Sequence, residues 1–428
     1  MPEFAFSRLR RHPDVEATNL QAWDATDELL VQRALAVDLP GDEIAVIGDE
    51  YGAITLALTD AGRIGIRVHQ DLVTGRRALT RNAEEIGLEG FTSHELDETL
   101  LSGARLVLLQ LPKALAELEE IADAVARWAA TDVVLVAGGR VKHMTLAQNE
   151  VLGRRFAEVQ PQRAERKSRL VVASEPLPAP DEPPYPQRAQ HPGFGLTIVA
   201  HGGAFAANRI DIGTRVLLGV LEGMLRGGEG RLRLPSVTLP VSSRFARSTT
   251  HHGDPAPTEP SRVVERAEGE TKRVERGAQR RVEAASTVID LGCGTGALAA
   301  YYALNHPEAK ITATDRSAAA AASARETMIA NGVSDRVTVT HDDAGSELPD
   351  GSADLILLNP PFHLGASVHT GAATRLFEAA ARLLRPGGEL LTVFNSSLAY
   401  RPELTRMIGW TEQLHRTSKF TVTRSIRR

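Results

Sequence analysis

Cysteine is almost absent from this sequence, which has one, Cys293, among 428 residues. A single thiol can form neither an intrachain disulfide nor a cysteine-based zinc cluster, so the composition is typical of a protein from a reducing compartment. Because Cys293 follows Gly292 inside a glycine loop, we expect a small packed thiol there rather than a nucleophile.

Long apolar runs and an excess of positive charge are also missing. No run approaches the roughly 20 residues that span a bilayer, and the first residues lack the apolar core of a secretion signal. We therefore expect a cytoplasmic protein with no membrane partner. The net charge is −5, so a nucleic acid would have to meet local basic patches. Candidates are 163–169, 262–281 and Arg427-Arg428, although each also fits an ordinary solvated surface.

The chain is long enough for two domains with separate cores. Prolines in the segment 176–192 lack the amide donors of a helix or a central strand. We predict a linker there, between a domain at 1–175 and a second domain at 193–428. Within the second domain, residues 226–283 have few large apolar side chains after Phe245, and this composition predicts a disordered insertion.

Short β-branched runs alternate with alanine-rich helical stretches in the second half. The apolar spacing at 211–225 predicts an amphipathic helix that precedes the sheet. The alternation predicts an α/β fold with a doubly wound, mainly parallel sheet, whose ligands bind beyond the carboxyl ends of the strands. The predicted strands are 288–291, 311–314, 337–340, 355–358, 390–394 and 421–426.

A glycine loop, Asp290-Leu-Gly292-Cys-Gly294-Thr-Gly296, follows the first of these strands and leads into a helix that begins near Ala297. Glycines let the backbone approach a ligand, and a helix N-terminus offers free amides to an anionic group. The loop alone does not identify the ligand, because Gly292-x-Gly294-x-x-Ala297 also fits the dinucleotide fingerprint. A purely structural turn is a further alternative.

Two acidic positions follow the next two strands. Asp315 ends the second strand, where a carboxylate can accept both ribose hydroxyls of a nicotinamide or an adenosyl cofactor. Asp343-Ala344 follows the third strand and offers a carboxylate for an adenine amino group beside a backbone amide for a ring nitrogen. Either acid could instead cap a helix.

The motif Asn359-Pro360-Pro361-Phe362-His363 stands at the end of the fourth strand. Two prolines fix the backbone and donate no hydrogen bonds, so the Pro360 carbonyl and the Asn359 amide oxygen can point outward as acceptors for a planar NH2 group. Phe362 can stack on a base flipped out of its helix. A simple turn is the alternative, but the position at this strand end favours a catalytic site formed by residues 359–362.

Together these motifs resemble the class I methyltransferases that act on planar nitrogens, and the Phe-His ending is similar to the ribosomal RNA guanine-N2 methyltransferases of both subunits. The resemblance implies S-adenosylmethionine as cofactor, no metal, and the exocyclic N2 of a guanine in ribosomal RNA as target. It also implies that Phe205 and Thr214 contact the cofactor, because 201–205 and 211–218 are similar to that family's approach to it. Ala204 and Ala206 depart from the family's Gly-Val-Phe-Ser element.

The sequence of the first half of the chain can be aligned with that of the second half. Residues 46–53 fit over the glycine loop, and residues 106–113 fit over the segment that ends at Phe362, with similar spacing. We therefore predict two tandem Rossmann-like methyltransferase folds, with a degenerate N-terminal copy that recognises RNA. This duplication is also implied by the resemblance, and residues 111–113 and 136–140 resemble the large-subunit members. Four site residues of the second copy have a different residue at the equivalent position of the first copy: Val46 stands for Asp290, Glu50 for Gly294, Leu111 for Pro360 and Lys113 for Phe362.

The resemblance implies an enzyme that acts on 23S ribosomal RNA, and we expect it to work as a monomer on a protein-poor or partly assembled subunit. Methylation of 16S ribosomal RNA is the nearest alternative. A methyltransferase of DNA adenine or of a protein glutamine is another, although such enzymes more often have Asn/Asp-Pro-Pro-Tyr. A non-catalytic RNA-binding protein of ribosome assembly is a third, and the intact glycine loop weighs against it.

Overall fold

The structure, a computed structural model, describes residues 4–226, 287–361 and 370–428. Within them the chain forms two seven-stranded α/β sheets in tandem and a two-stranded hairpin. Apart from Arg226, the insertion expected at 226–283 lies outside the described residues. No helix in the described ranges has both the length and the apolar composition needed to cross a membrane.

The first sheet has the strand order β3-β2-β1-β4-β5-β7-β6. Strands β1 to β5 are parallel, and β7 pairs antiparallel with both β5 and β6. The strands are β1 (Ile44–Ile47), β2 (Ile66–His69), β3 (Phe91–Ser93), β4 (Leu106–Gln110), β5 (Val134–Arg140), β6 (Phe156–Pro161) and β7 (Ser168–Pro176). The helices are α1 (Ala25–Leu35), α2 (Ala53–Asp60), α3 (Val73–Ile86), α4 (Glu98–Leu101), α5 (Leu115–Trp128) and α6 (Leu146–Leu152).

The segment expected as a linker, 176–192, is irregular over only part of its length. Residues 177–186 form neither helix nor strand, as their prolines predicted. Residues Gln187–His191 form β8, which pairs antiparallel with β9 (Leu196–Ala200). The hairpin therefore begins inside the segment predicted as a linker, and the domain boundaries stay a prediction.

The second sheet repeats the order of the first, β12-β11-β10-β13-β14-β16-β15. All six predicted strands are present, and β15 was not predicted. The strands are β10 (Thr287–Leu291), β11 (Lys310–Asp315), β12 (Val337–His341), β13 (Ala353–Leu358), β14 (Leu384–Asn395), β15 (Thr411–Arg416) and β16 (Phe420–Ile426). The helices are α7 (Ile212–Leu225), α8 (Ala297–Asn305), α9 (Ala318–Ala330), α10 (Thr370–Leu383) and α11 (Arg401–Met407).

Helices cover both faces of each sheet, which explains why the central strands are apolar throughout. In β1, for example, Ile44 and Val46 face one hydrophobic cluster while Ala45 and Ile47 face another. The prediction of tandem Rossmann-like α/β folds with mainly parallel sheets is confirmed.

The two halves meet through loops that occupy equivalent places in the repeat. The loop after β2 pairs with the loop after β11, with Leu72 opposite Ser317. The Val73 amide donates to the Arg316 carbonyl at 2.9 Å, and the Ala318 amide donates to the Asp71 carbonyl at 2.9 Å. This contact brings the first half to the edge of the second sheet that is formed by the carboxyl ends of its parallel strands.

Candidate active site

A cavity of about 420 Å³ lies at the carboxyl ends of β10 to β13. Its size falls in the range of roughly 300–1,000 Å³ that is typical of small-molecule sites. The structure thus brings together residues from four separate sequence motifs. The predicted site residues that line the cavity are Phe205, Thr214, Gly292, Gly294, Asp315, Asp343, Ala344, Asn359, Pro360 and Pro361. Phe362 and its neighbour His363 lie outside the described residues.

The glycine loop leaves its backbone open to the cavity. Gly292 and Gly294 have φ angles of +72° and +54°, and a Cβ atom added to either would have no heavy atom within 4 Å. A ligand can therefore contact the backbone directly at these two positions. Cys293 between them is buried, and burial raises the pKa of its thiol well above the usual value, as expected for a packed thiol.

Two predicted cofactor residues, Asp290 and Gly296, lie behind the loop rather than on the cavity wall. Asp290 Oδ2 accepts a hydrogen bond from the Ala299 amide at 3.0 Å, and among the described residues its Oδ1 has no partner. Burial raises the pKa of Asp290 to about 7. A Cβ on Gly296 would lie 2.6 Å from the Met328 methyl. Both residues therefore shape the loop through packing and capping.

Asp315 ties the glycine loop to the next turn. Its Oδ2 accepts from the Gly294 amide at 2.9 Å and its Oδ1 accepts from the Ser317 amide at 3.0 Å. Burial raises the pKa of this carboxyl. Each carboxylate oxygen has a second lone pair, so the group can still accept the two hydroxyls of a ribose.

The next wall of the cavity is formed by Asp343 and Ala344. Asp343 is 5% exposed and its carboxylate pairs with Arg375 of α10, a contact that the sequence did not reveal. Burial raises the pKa of Asp343, and Arg375 opposes that shift. Ala344 has a φ of +54°, a strained conformation for a residue with a Cβ that is often retained at ligand sites.

The amide of Asn359 has a defined orientation. Its Nδ2 donates to the Asp211 carboxylate at 3.2 and 3.3 Å and to Thr214 Oγ1 at 2.9 Å. A carboxylate only accepts hydrogen bonds, so the NH2 side of the amide must face Asp211. The buried Oδ1 has no partner within the described residues. Asn359 thus has one unused acceptor.

Asp211 was missed as a site residue, although a signal for it existed. It stands before an apolar helical pattern, and in the structure its Oδ1 caps α7 by accepting from the Gly213 and Thr214 amides. Capping explains its position in the sequence. Its second task, orienting Asn359, depends on a contact between residues 148 positions apart.

Positive and aromatic side chains stand at the cavity's rim. Phe205 is 76% exposed, and Arg209 and Arg316 line the same cavity. In the part of the chain that the structure describes, neither guanidinium has an ion-pair or hydrogen-bond partner. Asp71 and Leu72 of the first half also line this cavity, a contribution that the sequence did not predict.

Comparison with known proteins agrees with this geometry. Residues 278–424 match the family model described as Methyltransferase small domain, and residues 2–177 match the RLMG N-terminal domain. The fold is shared with the T. thermophilus 16S rRNA N2 methyltransferase RsmC, solved in complex with AdoMet and guanosine. The match covers 95% of this chain and 92% of the RsmC chain, with a TM-score of 0.66 and 21% sequence identity.

Two relatives named ribosomal RNA large subunit methyltransferase G match almost the whole chain. The one from Streptomyces coelicolor is 30% identical over 98% of this chain and 97% of its own length. The one from Ectopseudomonas mendocina is 31% identical, with the same coverage. These matches confirm the expected methyltransferase class, and the chain belongs to the family of ribosomal RNA large subunit methyltransferase G proteins.

Proposed function

We propose that this protein transfers a methyl group from S-adenosylmethionine to the exocyclic N2 amine of a guanine in 23S ribosomal RNA. The observation that carries this proposal is the oriented amide of Asn359. Asp211 and Thr214 hold its nitrogen side, and the oxygen is left as a buried acceptor without a partner in the described residues. Beside two prolines that donate nothing, this acceptor suits an N–H bond of a planar amine.

The cavity fits S-adenosylmethionine through groups at successive strand ends. The open backbone at Gly292 and Gly294 suits close approach of the amino-acid part of the cofactor. Asp315, Asp343 and Ala344 line the cavity; in this proposal Asp315 accepts the ribose hydroxyls, and Asp343 with the Ala344 amide binds the adenine edge. Thr214 and Phe205 complete the wall, as the family resemblance implies.

When bound, S-adenosylmethionine supplies a methyl group on a positively charged sulfur, and the new N–C bond forms as the S–C bond breaks. Asn359 Oδ1 and the Pro360 carbonyl accept hydrogen bonds from the target amine. These acceptors favour the pyramidal nitrogen, whose lone pair is no longer delocalised into the ring, and they hold it in line for attack. Water can take the proton that the amine loses after transfer, so the chain needs no dedicated base.

The RNA substrate approaches through the rim of the cavity. With a net charge of −5, the protein depends on local cations to attract phosphates, and Arg209 and Arg316 are available there. The exposed Phe205 ring offers a surface on which an unstacked base can lie. A guanine flipped from its helix would then reach Asn359.

We further propose that the enzyme works as a cytoplasmic monomer on protein-poor or partly assembled large subunits. Base flipping needs free access to the RNA, which bound ribosomal proteins would restrict. The names of the full-length relatives support the large subunit.

The decisive experiment is mass spectrometry of both ribosomal RNAs from a deletion strain. We expect one N2-methylguanine to disappear from 23S ribosomal RNA and to return when wild-type protein is supplied, but not with Asn359→Ala. Loss of a methyl group from 16S ribosomal RNA instead would make the subunit assignment wrong. Unchanged modification of both RNAs would refute the proposed function.

A further inference from the structure

The N-terminal half contributes directly to the proposed cofactor cavity. Asp71 and Leu72, in the loop between β2 and α3, line it together with Asp315 and Arg316. Because they come from the half of the chain without the glycine loop and Asn-Pro-Pro, neither residue was expected at the site.

Asp71 holds the turn that begins α9. Its Oδ1 accepts from the Ala319 amide at 2.8 Å and from Ser317 Oγ at 3.1 Å, and its backbone carbonyl accepts from the Ala318 amide. The carboxylate thus satisfies one of the amides that a helix start leaves without partners, and its charge complements the helix dipole. Asp315 binds the Ser317 amide from within the second half. The two aspartates therefore fix the same turn from opposite domains.

Arg77, on α3, holds a second loop of the cavity. Its guanidinium lies 2.9 Å from Asp342 Oδ1 and from Glu347 Oε1. Asp342 is 1% exposed, and its carboxylate also accepts from the Asp343 amide at 2.8 Å. Burial alone would raise the pKa of Asp342, but hydrogen bonds from Ser346, the Glu347 amide and Arg77 hold it below its usual value. Arg77 thus reaches the loop that carries Asp343 through a buried carboxylate.

We propose that Asp71 and Arg77 are positioning residues of the cofactor site, supplied by the N-terminal domain. They hold the turn after Asp315 and the loop of Asp343 at the spacing that one cofactor molecule requires. The cofactor affinity of the catalytic domain therefore depends on its docked partner domain. This inference rests on the proposed cofactor, and it does not depend on which RNA is methylated.

The test measures S-adenosylmethionine binding to full-length variants by calorimetry, together with thermal unfolding. Asp71→Ala removes both side-chain contacts to α9, and Arg77→Gln removes the ion pair with Asp342. We expect each to weaken binding about tenfold or more, the scale of one lost charge-assisted hydrogen bond. Asp71→Asn keeps an acceptor oxygen and should restore most of the affinity.

Arg105→Gln is the matched control. Arg105 belongs to the same domain and forms an ion pair with Asp132 at 2.7 Å. It directly precedes β4, so it lies at the amino-terminal ends of the parallel strands, away from the cofactor cavity. We expect wild-type affinity for this variant. In steady-state assays, Asp71→Ala and Arg77→Gln should raise KM for the cofactor while kcat and KM for RNA stay near wild type.

If Asp71 and Arg77 are purely structural, the substitutions will lower the unfolding temperature without changing the dissociation constant of S-adenosylmethionine. That result would overturn the inference. If Asp71→Ala does not fold, Arg77→Gln decides alone. It is the milder change, because the Arg77 side chain is 31% exposed. Wild-type protein that binds no S-adenosylmethionine would contradict the proposed function itself. Wild-type binding that these variants weaken, without methylation of 23S ribosomal RNA, would leave the inference standing and refute only the RNA assignment.

Discussion

At the scale of single residues, Asp211 determines which end of the Asn359 amide is free. Asp211→Asn tests this, because asparagine caps a helix about as well as aspartate but places an NH2 group against Asn359 Nδ2. The Asn359 amide should then turn its oxygen toward residue 211 and its nitrogen toward the cavity. We expect kcat to fall by roughly two orders of magnitude, the scale of one lost aligned partner, with cofactor affinity unchanged.

The control for this variant is Asp24→Asn, the same substitution at the equivalent cap of α1, where the side chain accepts from the Thr26 amide. It should leave kcat unaltered. Single-turnover methylation of bare ribosomal RNA measures the rate, and calorimetry measures the cofactor. A wild-type rate for Asp211→Asn would show that the orientation of Asn359 does not depend on this carboxylate.

Asp290 predicts a dependence of stability on pH. Burial raises its pKa from 3.8 to about 7, so the folded protein holds this proton after the unfolded chain has lost it. The stabilising effect is complete below pH 3.8 and is lost as the pH rises through 7. Asp290→Asn cannot titrate, so its unfolding temperature relative to wild type should rise between pH 5 and pH 8. A difference that stays constant over this range would contradict the assignment.

At the scale of elements, one edge of the hairpin strand β9 pairs with β8, and side chains of α9 and of its C-terminal cap hold the other edge. Thr327 Oγ1 accepts from the Val199 amide at 3.0 Å and donates to the Val199 carbonyl at 3.2 Å. Ser323 and Asn331, one turn away on either side, bind the His201 amide and both backbone groups of Thr197. Residues spaced by four on one helix face thus replace a strand partner.

Thr327→Val tests the contribution of this pairing. The change keeps the shape of the side chain but leaves the buried amide and carbonyl of Val199 without partners, so we expect a loss of about 1–3 kcal/mol in the free energy of unfolding. Thr338→Val, at an exposed position of β12, should change stability by less than about 0.5 kcal/mol. Denaturant unfolding measures both. Equal values for the two variants would mean that the Thr327 contact to β9 contributes no stability.

Three of the strands that the sequence predicted, β10, β11 and β13, lie inside the sheet and are largely buried. The apolar runs of β10, β11 and β13 follow from helices on both sides of a parallel sheet. By contrast, β15 pairs only with β16 at the sheet edge, and its polar residues give no such pattern. The site follows the same rule: motifs at strand ends were predictable, whereas Asp71, Asp211 and Arg375 act through contacts distant in sequence, which no local pattern encodes.

At the scale of the whole molecule, the repeat keeps its scaffold in both copies. Gly52 and Gly296 occupy equivalent positions, and each is packed closely by the helix that follows the next strand. A Cβ atom added to Gly52 would lie 2.5 Å from Leu79 Cδ1, and one added to Gly296 would lie 2.6 Å from the Met328 methyl. Gln110 Nε2 donates to Asp27 of α1 at 2.5 Å, the counterpart of the contact between Asn359 and Thr214.

The ligand edge of the first sheet differs from that of the second. Gly48 corresponds to Gly292 of the second copy. A Cβ atom added to Gly48 would lie 3.2 Å from the Gln110 carbonyl oxygen, so the backbone there is not open. The cavity there, about 310 Å³, is lined by acids that include Glu117 and Glu120 and by Ala318 and Ala319 of the other domain. Burial raises the pKa of Glu117 to about 7. The first copy therefore uses its ligand edge to dock the second domain.

This difference predicts one cofactor per chain. Calorimetric titration of the full-length protein with S-adenosylmethionine should give a stoichiometry of one, because Val46 and the obstructed Gly48 offer neither the acid nor the open backbone of the second copy. Asp315→Ala removes the carboxylate that we propose accepts the ribose hydroxyls, and it should abolish measurable binding. Glu50→Gln, at the first-copy counterpart of Gly294, should bind as wild type. A stoichiometry of two, or saturable binding that survives Asp315→Ala, would mean that the N-terminal copy has kept a site and is not degenerate.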